Sequence, residues 1–88
     1  MHKDKRKREA QRLKRLRTLN RAFPESIYGA YNTHGTFHIR PPHTVCLDFT
    51  PNGRHWDCSV GAYKFVAPSL KEGIARSKAY LLINGENQ

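Results

Sequence analysis

The sequence predicts an α+β fold: a basic N-terminal helix, a small antiparallel sheet of about four to five strands, and a C-terminal helix packed across the sheet's apolar face. Three observations predict it. Residues 3–23, KDKRKREAQRLKRLRTLNRAF, place apolar side chains at helical spacing in a strongly cationic background. Residues 26–67 then alternate apolar and polar side chains between turn-forming residues, and from Ser69 to Asn84 the helical period returns. The chain accordingly divides into an arm, residues 1–23, and a body, residues 24–88.

The arm carries the charge. Ten Lys and Arg residues against Asp4 and Glu9 give Met1–Arg21 a net +8 of the chain's +9, so the other 67 residues are close to neutral. At about 100° per residue, Leu13, Leu16, Leu19 and Phe23 fall within roughly 120° of one another. Lys3, Arg6, Lys7, Lys14, Arg17 and Arg21 cluster on the nearly opposite side, with Arg8, Arg12 and Arg15 nearer the apolar edge. Residues 2–11 hold no apolar side chain larger than Ala10. That half is expected to fray unless a partner neutralises it, and cations at the start of a helix also oppose its dipole. Pro24 ends the helix, because its ring cannot continue the hydrogen-bond ladder.

After Pro24 the period changes. SIYGAY and TFHIR read as two short strands around the turn-rich tetrad Asn32-Thr33-His34-Gly35, and Pro41-Pro42 makes an extended corner. In TVCLDFTPNGRHWDCSV, Asn52-Gly53 asks for a two-residue turn with positive φ at both central positions. Phe49 then faces Trp56, Asp48 faces Asp57, and Val45, Leu47, Phe49, Trp56, Cys58 and Val60 share one apolar face. Cys46 lies on the other face. Asp48 and Asp57 become like-charged neighbours that call for a cation, with Arg12 or Arg15 of the arm or Arg40 as candidates. A strand over Gly61–Ala67 follows. Ser69 and Glu72 form a capping box for the last helix, Leu70, Ile74, Ser77 and Leu81 make its inward stripe, and Asn84-Gly85 stops it. Gly73 inside that helix marks a close approach to the sheet.

Composition bounds the function. About 65 body residues support only a small core. No run of apolar residues is long enough to span a membrane, no signal peptide is evident, and two cysteines are too few for a disulfide framework, so a cytoplasmic protein is expected. A formal +9 on 88 residues forecasts a polyanionic partner, since Lys and Arg release counterions from phosphates without sequence recognition. Lys3, Lys5, Arg6, Lys7, Arg8, Arg12, Lys14, Arg15, Arg17 and Arg21 are the candidate nucleic-acid contacts, and Tyr28, Tyr31, Arg40 and Arg54 are candidate contacts to protein or bases, with Tyr63 a further stacking candidate. The competing readings are a solvated charged helix and a membrane-surface or calmodulin-target helix. The latter is disfavoured by a short apolar stripe with no Trp at its edge.

Two chemical readings compete with binding. His43-x2-Cys46 and His55-x2-Cys58 have the spacing of half zinc sites, but the hairpin sends the cysteines to opposite faces. Asp48, Asp57 and His55 could be imagined as a nuclease cluster, yet no further acid, activated nucleophile or glycine-rich phosphate loop accompanies them. Neither an enzyme nor a cofactor or metal is expected.

The Lys/Arg arm running into RLKRLRTLNRAF, then GTFHIR, then a small sheet closed by a helix, resembles the phage-encoded anti-CRISPR inhibitors of type II Cas9 that carry a basic N-terminal arm. The resemblance covers the first forty or so residues as a layout. It implies an inhibitor of the complex of Cas9 with guide RNA, acting in the host cytoplasm through Lys3, Lys5, Arg6, Lys7, Arg8, Arg12, Lys14, Arg15 and Arg17. The body is shorter than in that family, so no residue beyond the arm carries over. Three strands followed by a helix is also similar to sheet-reading DNA-binding domains of the integrase-arm type, whose sheet would here offer Arg40, Arg54, His55 and Lys64. A stand-alone DNA-binding regulator and a ribosome-associated basic protein are therefore the alternatives.

Overall fold

The computed structural model describes the backbone of residues 2–30 and 35–84 and the side chains of residues 6–26 and 35–84. Helix α1 (His2–Ala22) leads into strands β1 (Ile27–Ala30), β2 (Phe37–Arg40), β3 (Leu47–Asn52), β4 (His55–Val60) and β5 (Tyr63–Ala67), and helix α2 (Leu70–Asn84) closes the chain. The strands form one antiparallel sheet in the order β1-β2-β3-β4-β5. The α+β architecture expected from the periodicities is the one observed.

Both helices pack on the same face of the sheet. There Phe37, Ile39, Leu47, Phe49, Trp56, Cys58, Val60 and Ala67 are buried against Leu19 of α1, Phe23 just after it, and Leu70 and Ile74 of α2. Val45 packs at the edge of this cluster, half-buried. The opposite face, bearing His38, Asp48, Thr50, Asp57, Ser59 and Lys64, is covered by neither helix.

The central hairpin differs from the expected register. Phe49 pairs with Cys58 rather than Trp56, Asp48 with Ser59 rather than Asp57, and Thr50 with Asp57. The cause lies in the turn. Asn52 is the last residue of β3, pairs with His55 and donates its side-chain amide to Asp57 Oδ2 at 2.9 Å, so the central residues are Gly53-Arg54 instead of Asn52-Gly53. Of these two only Gly53 has a positive φ, 65°, as a turn with glycine at its first central position requires. The pairing moves by two positions in all. An even displacement keeps every side chain on its face, which is why the apolar surface survives the change.

The next connection, Gly61-Ala62, uses the same device: Gly61 has φ 60° and Val60 pairs with Tyr63 across it. In the first hairpin Ile27 pairs with Arg40 and Ala30 with Phe37, while Asn32, Thr33 and His34 of the expected turn lie outside the described residues. At the start of α2 the Glu72 N–H donates to Ser69 Oγ at 3.2 Å, the expected cap. The tolerance of Gly73 is also explained. A Cβ there would lie 2.8 Å from Cys58 Sγ and 3.7 Å from Phe49 Cδ1, so only glycine lets α2 settle onto the middle of the sheet.

Candidate nucleic-acid interface

The C-terminal half of α1 is an anchor. Leu19 is fully buried and Phe23 nearly so; the Phe23 ring lies 6.3 Å from that of Phe49 on one side, with Lys78 Nζ 5.6 Å from it on another. One turn earlier Leu16 is half-buried, and the Arg15 guanidinium lies over the indole of Trp56, 4.8 Å from its centroid. Partial burial lowers the Arg15 pKa from its ordinary value, the desolvation cost of seating a cation on the core's rim. Arg15 thus spends its planar face on docking the helix.

The N-terminal half leaves the body. Phe23 lies against Phe49, and Arg15 against Trp56, which pairs with Pro51, so going back along α1 from Phe23 to Arg15 leads toward the Gly53-Arg54 end of the hairpin. Arg6, Lys7, Arg8, Glu9, Ala10, Gln11, Leu13 and Lys14 are all exposed. Leu13, expected in the apolar stripe, keeps 43% of its surface in water. The helix begins at His2, so the backbone of the expected fraying half is helical.

The expected contact residues separate into groups. Arg6, Lys7, Arg8, Lys14, Arg17 and Arg21 project exposed from α1. Arg12 is half-exposed and lies 3.6 Å from Glu9 one turn back, while Arg15 stacks on Trp56. Lys3 and Lys5 lie on the helix, but outside the residues whose side chains are described, as does Tyr28 on β1. Tyr31 lies outside the described residues altogether. Arg40 is exposed at the end of β2 and Arg54 at the tip of the β3-β4 turn. Tyr63, offered as a base-stacking residue, is instead engaged by the body: it stacks on Tyr80 at 4.5 Å with rings 5° from parallel, and on Phe65 at 5.4 Å.

The acidic residues of the sheet are satisfied locally rather than by an arginine. His38 Nδ1 hydrogen-bonds Asp48 Oδ1, and Ser59 Oγ donates to Asp48 Oδ2 at 3.2 Å. Asp57 accepts from Asn52 and has His55 Nε2 3.8 Å away. Arg12 and Arg15 do not reach these carboxylates, because α1 covers the other face of the sheet. The register sets His38, Asp48, Ser59 and Lys64 in one row across β2 to β5. His38 and Ser59 escaped the sequence reading; the signal that finds them is the β2-β3 register, which no turn residue fixes.

Cys58 is buried on the helix-bearing face and its Sγ lies 3.7 Å from the Trp56 carbonyl, whereas Cys46 is half-buried just before β3; both are free thiols. Burial, helped by the negative charge of Asp57, pushes the Cys58 thiol up to about 11. Among the described residues no three His, Cys, Asp or Glu side chains gather closely enough to hold a metal ion, and no helix is long and apolar enough to cross a membrane. The arrangement presents exposed Arg and Lys side chains on a helix anchored at its C-terminal end by Leu19. Compared with known proteins, the chain matches no family model, no curated protein and no solved structure.

Proposed function

We propose that this protein is a non-enzymatic binder of nucleic acid, free or within a ribonucleoprotein, that engages its partner through the cationic surface of α1. The observation that carries this reading is the division of labour along one helix. Leu19 and Phe23 anchor it in the core, while Arg6, Lys7, Arg8, Lys14, Arg17 and Arg21 remain in solvent, in no ion pair with the described residues of the body. The absence of catalysis is part of the proposal, supported by the placement of the one histidine, carboxylate and serine that meet. Ser59 bonds to Asp48 rather than to the imidazole of His38, so the serine is not aligned for activation by a base.

The reading is tested by binding isotherms for DNA and RNA over a salt series, with the full chain and with residues 11–88. Removing Met1–Ala10 deletes five cations, and the described side chains among them, residues 6–10, are all exposed, so the circular dichroism of the body should persist while affinity falls by about 10³-fold or more. Retained affinity, or loss of the fold, would count against it. The resemblance to Cas9 inhibitors supplies a narrower form of the same proposal, tested by whether the protein blocks cleavage by guide-loaded Cas9 and prefers the loaded enzyme to bare RNA.

A further inference from the structure

We propose that the occupant of the α1 surface is B-form duplex DNA, with the projecting half of the helix lying in the major groove and the β3-β4 turn resting on the flanking phosphates. The inference rests on the nucleic-acid reading above and specifies its partner. Three features of the molecule lead to it.

The first is how the charge is distributed around the helix. In the docked half, Lys14, Arg17 and Arg21 face one way, opposite Leu19 and Phe23, as suits a single row of phosphates. In the projecting half, Arg6, Lys7 and Arg8 follow one another at about 100° intervals and spread over roughly 200° of the circumference, all exposed. Cations on several sides of one rod are matched by a groove with phosphates along both walls, not by one strand. An α-helix with its side chains is about 10–12 Å across, and the major groove of B-DNA is about 12 Å wide, whereas that of A-form RNA is deep and narrow. From His2 to Leu13 the helix extends about 17 Å, enough to lie along the groove over roughly five base pairs.

The second is the position of the turn. Because Arg15 stacks on Trp56 and Trp56 pairs with Pro51, the arm departs over the same end of the sheet that carries Gly53 and the exposed Arg54. A helix lying in the groove brings that turn toward the backbone beside it. The sheet carboxylates do not obstruct the approach, since Asp48 and Asp57 are on the face turned away from α1 and Glu9 is paired with Arg12.

The third is the lack of a stacking platform among the described residues near the arm. Phe23, Phe37, Phe49 and Trp56 are in the core, and Tyr63 is stacked at the opposite end of β4. Proteins that hold single strands lay bases on exposed aromatic rings, and the described aromatic rings near the arm are committed to the core, while Tyr28 and Tyr31 lie outside the described side chains.

The experiment measures the full chain by fluorescence anisotropy against a two-turn DNA duplex, the RNA duplex of the same sequence and each single strand, over a salt series, with methylation protection of guanine N7 on the DNA. DNA duplex should bind at least about tenfold more tightly than RNA duplex or single strands, and N7, which lines the major groove, should be protected. Arg54→Ala, an exposed turn substitution, should reduce the salt slope on duplex DNA by about 0.9, and Arg6→Gln, Lys7→Gln and Arg8→Gln together by about 2.7. Equal or tighter binding to RNA or single strands, unprotected N7, or an Arg54→Ala slope equal to the parent's would overturn the duplex assignment while leaving the nucleic-acid reading in place. Failure to bind any of the four would remove both.

Discussion

The guanidinium of Arg15 and the indole of Trp56, the only tryptophan of the chain, face one another at 4.8 Å, and this contact fixes the direction in which α1 leaves the body. Stacking a cation on a partly desolvated ring is worth about 1–2 kcal/mol. Arg15→Ala should therefore lower stability by about that amount, with Arg15→Lys retaining part of it. Trp56 is only 8% exposed, so its fluorescence should shift to the red in Arg15→Ala as water reaches the ring. An unchanged emission maximum would show that the stack does not hold the helix down.

Gly73 of α2 lies directly against Cys58 of β4. Gly73→Ala raises helix propensity by about 1 kcal/mol, yet it drives a methyl group to within 2.8 Å of Cys58 Sγ. Overpacking should win, and the substitution should cost about 1–2 kcal/mol net in chemical denaturation. Combining it with Cys58→Ala removes the sulfur from its path. The double variant should be more stable than the sum of the single effects predicts, by about 1 kcal/mol or more; strict additivity would mean that α2 moves away instead.

At Gly53 there is room but the wrong backbone. A Cβ there meets nothing within 4 Å, so the penalty of Gly53→Ala comes from the positive φ alone, about 1–2 kcal/mol. Gly53→Val should be worse because a branched side chain resists that conformation further. Thermal unfolding of the two variants should rank them in that order, and equal midpoints would remove the turn as a determinant of the hairpin.

The two thiols should respond differently to alkali. With its folded pKa raised to about 11, Cys58 stays protonated in the fold at pH values where the unfolded thiol already ionises. The stability associated with this group is therefore intact below about pH 9 and declines as pH rises toward 11. Cys58→Ala should lose that part of the alkaline slope. At pH 8, a thiol reagent should modify half-buried Cys46 first and Cys58 only on unfolding. Equal reaction rates would place Cys58 outside the core. Cys58→Ser should also destabilise more than Cys46→Ser, since it sets a hydroxyl on the buried face beside Phe49, Trp56 and Val60.

Local chemistry made most of the fold legible from the sequence. Ser69, Glu72 and Gly73 act within a few residues of themselves, and the cap and the close approach both appear where expected. The alternation of Leu47, Phe49, Trp56 and Cys58 determined the buried face, but not the partners. Asn52 could either enter the turn or extend the strand, and its amide bond to Asp57 decides for the strand. The arm's apolar stripe is buried as expected at Leu19 and Phe23 but not at Leu13, because periodicity does not say how far along a helix its contact with the body extends. For Arg15 the sequence suggests a phosphate ligand or a partner for the carboxylates. Its contact with Trp56, 41 positions away, depends on which face the helix covers, and only the assembled structure supplies that.

The strand order of the sheet repeats the order of the chain, so each ladder can close as soon as its two neighbouring segments exist, and such local pairings fold quickly. The core is different. Leu19 and Phe23 come from the first element and Leu70 and Ile74 from the last, and Lys78 lies over Phe23. During synthesis the meander can assemble while the part of its apolar face that α2 covers is still bare. Only when α2 has been made can both helices cover that face, so α2 acts as the latch on a body whose hairpins are already in place.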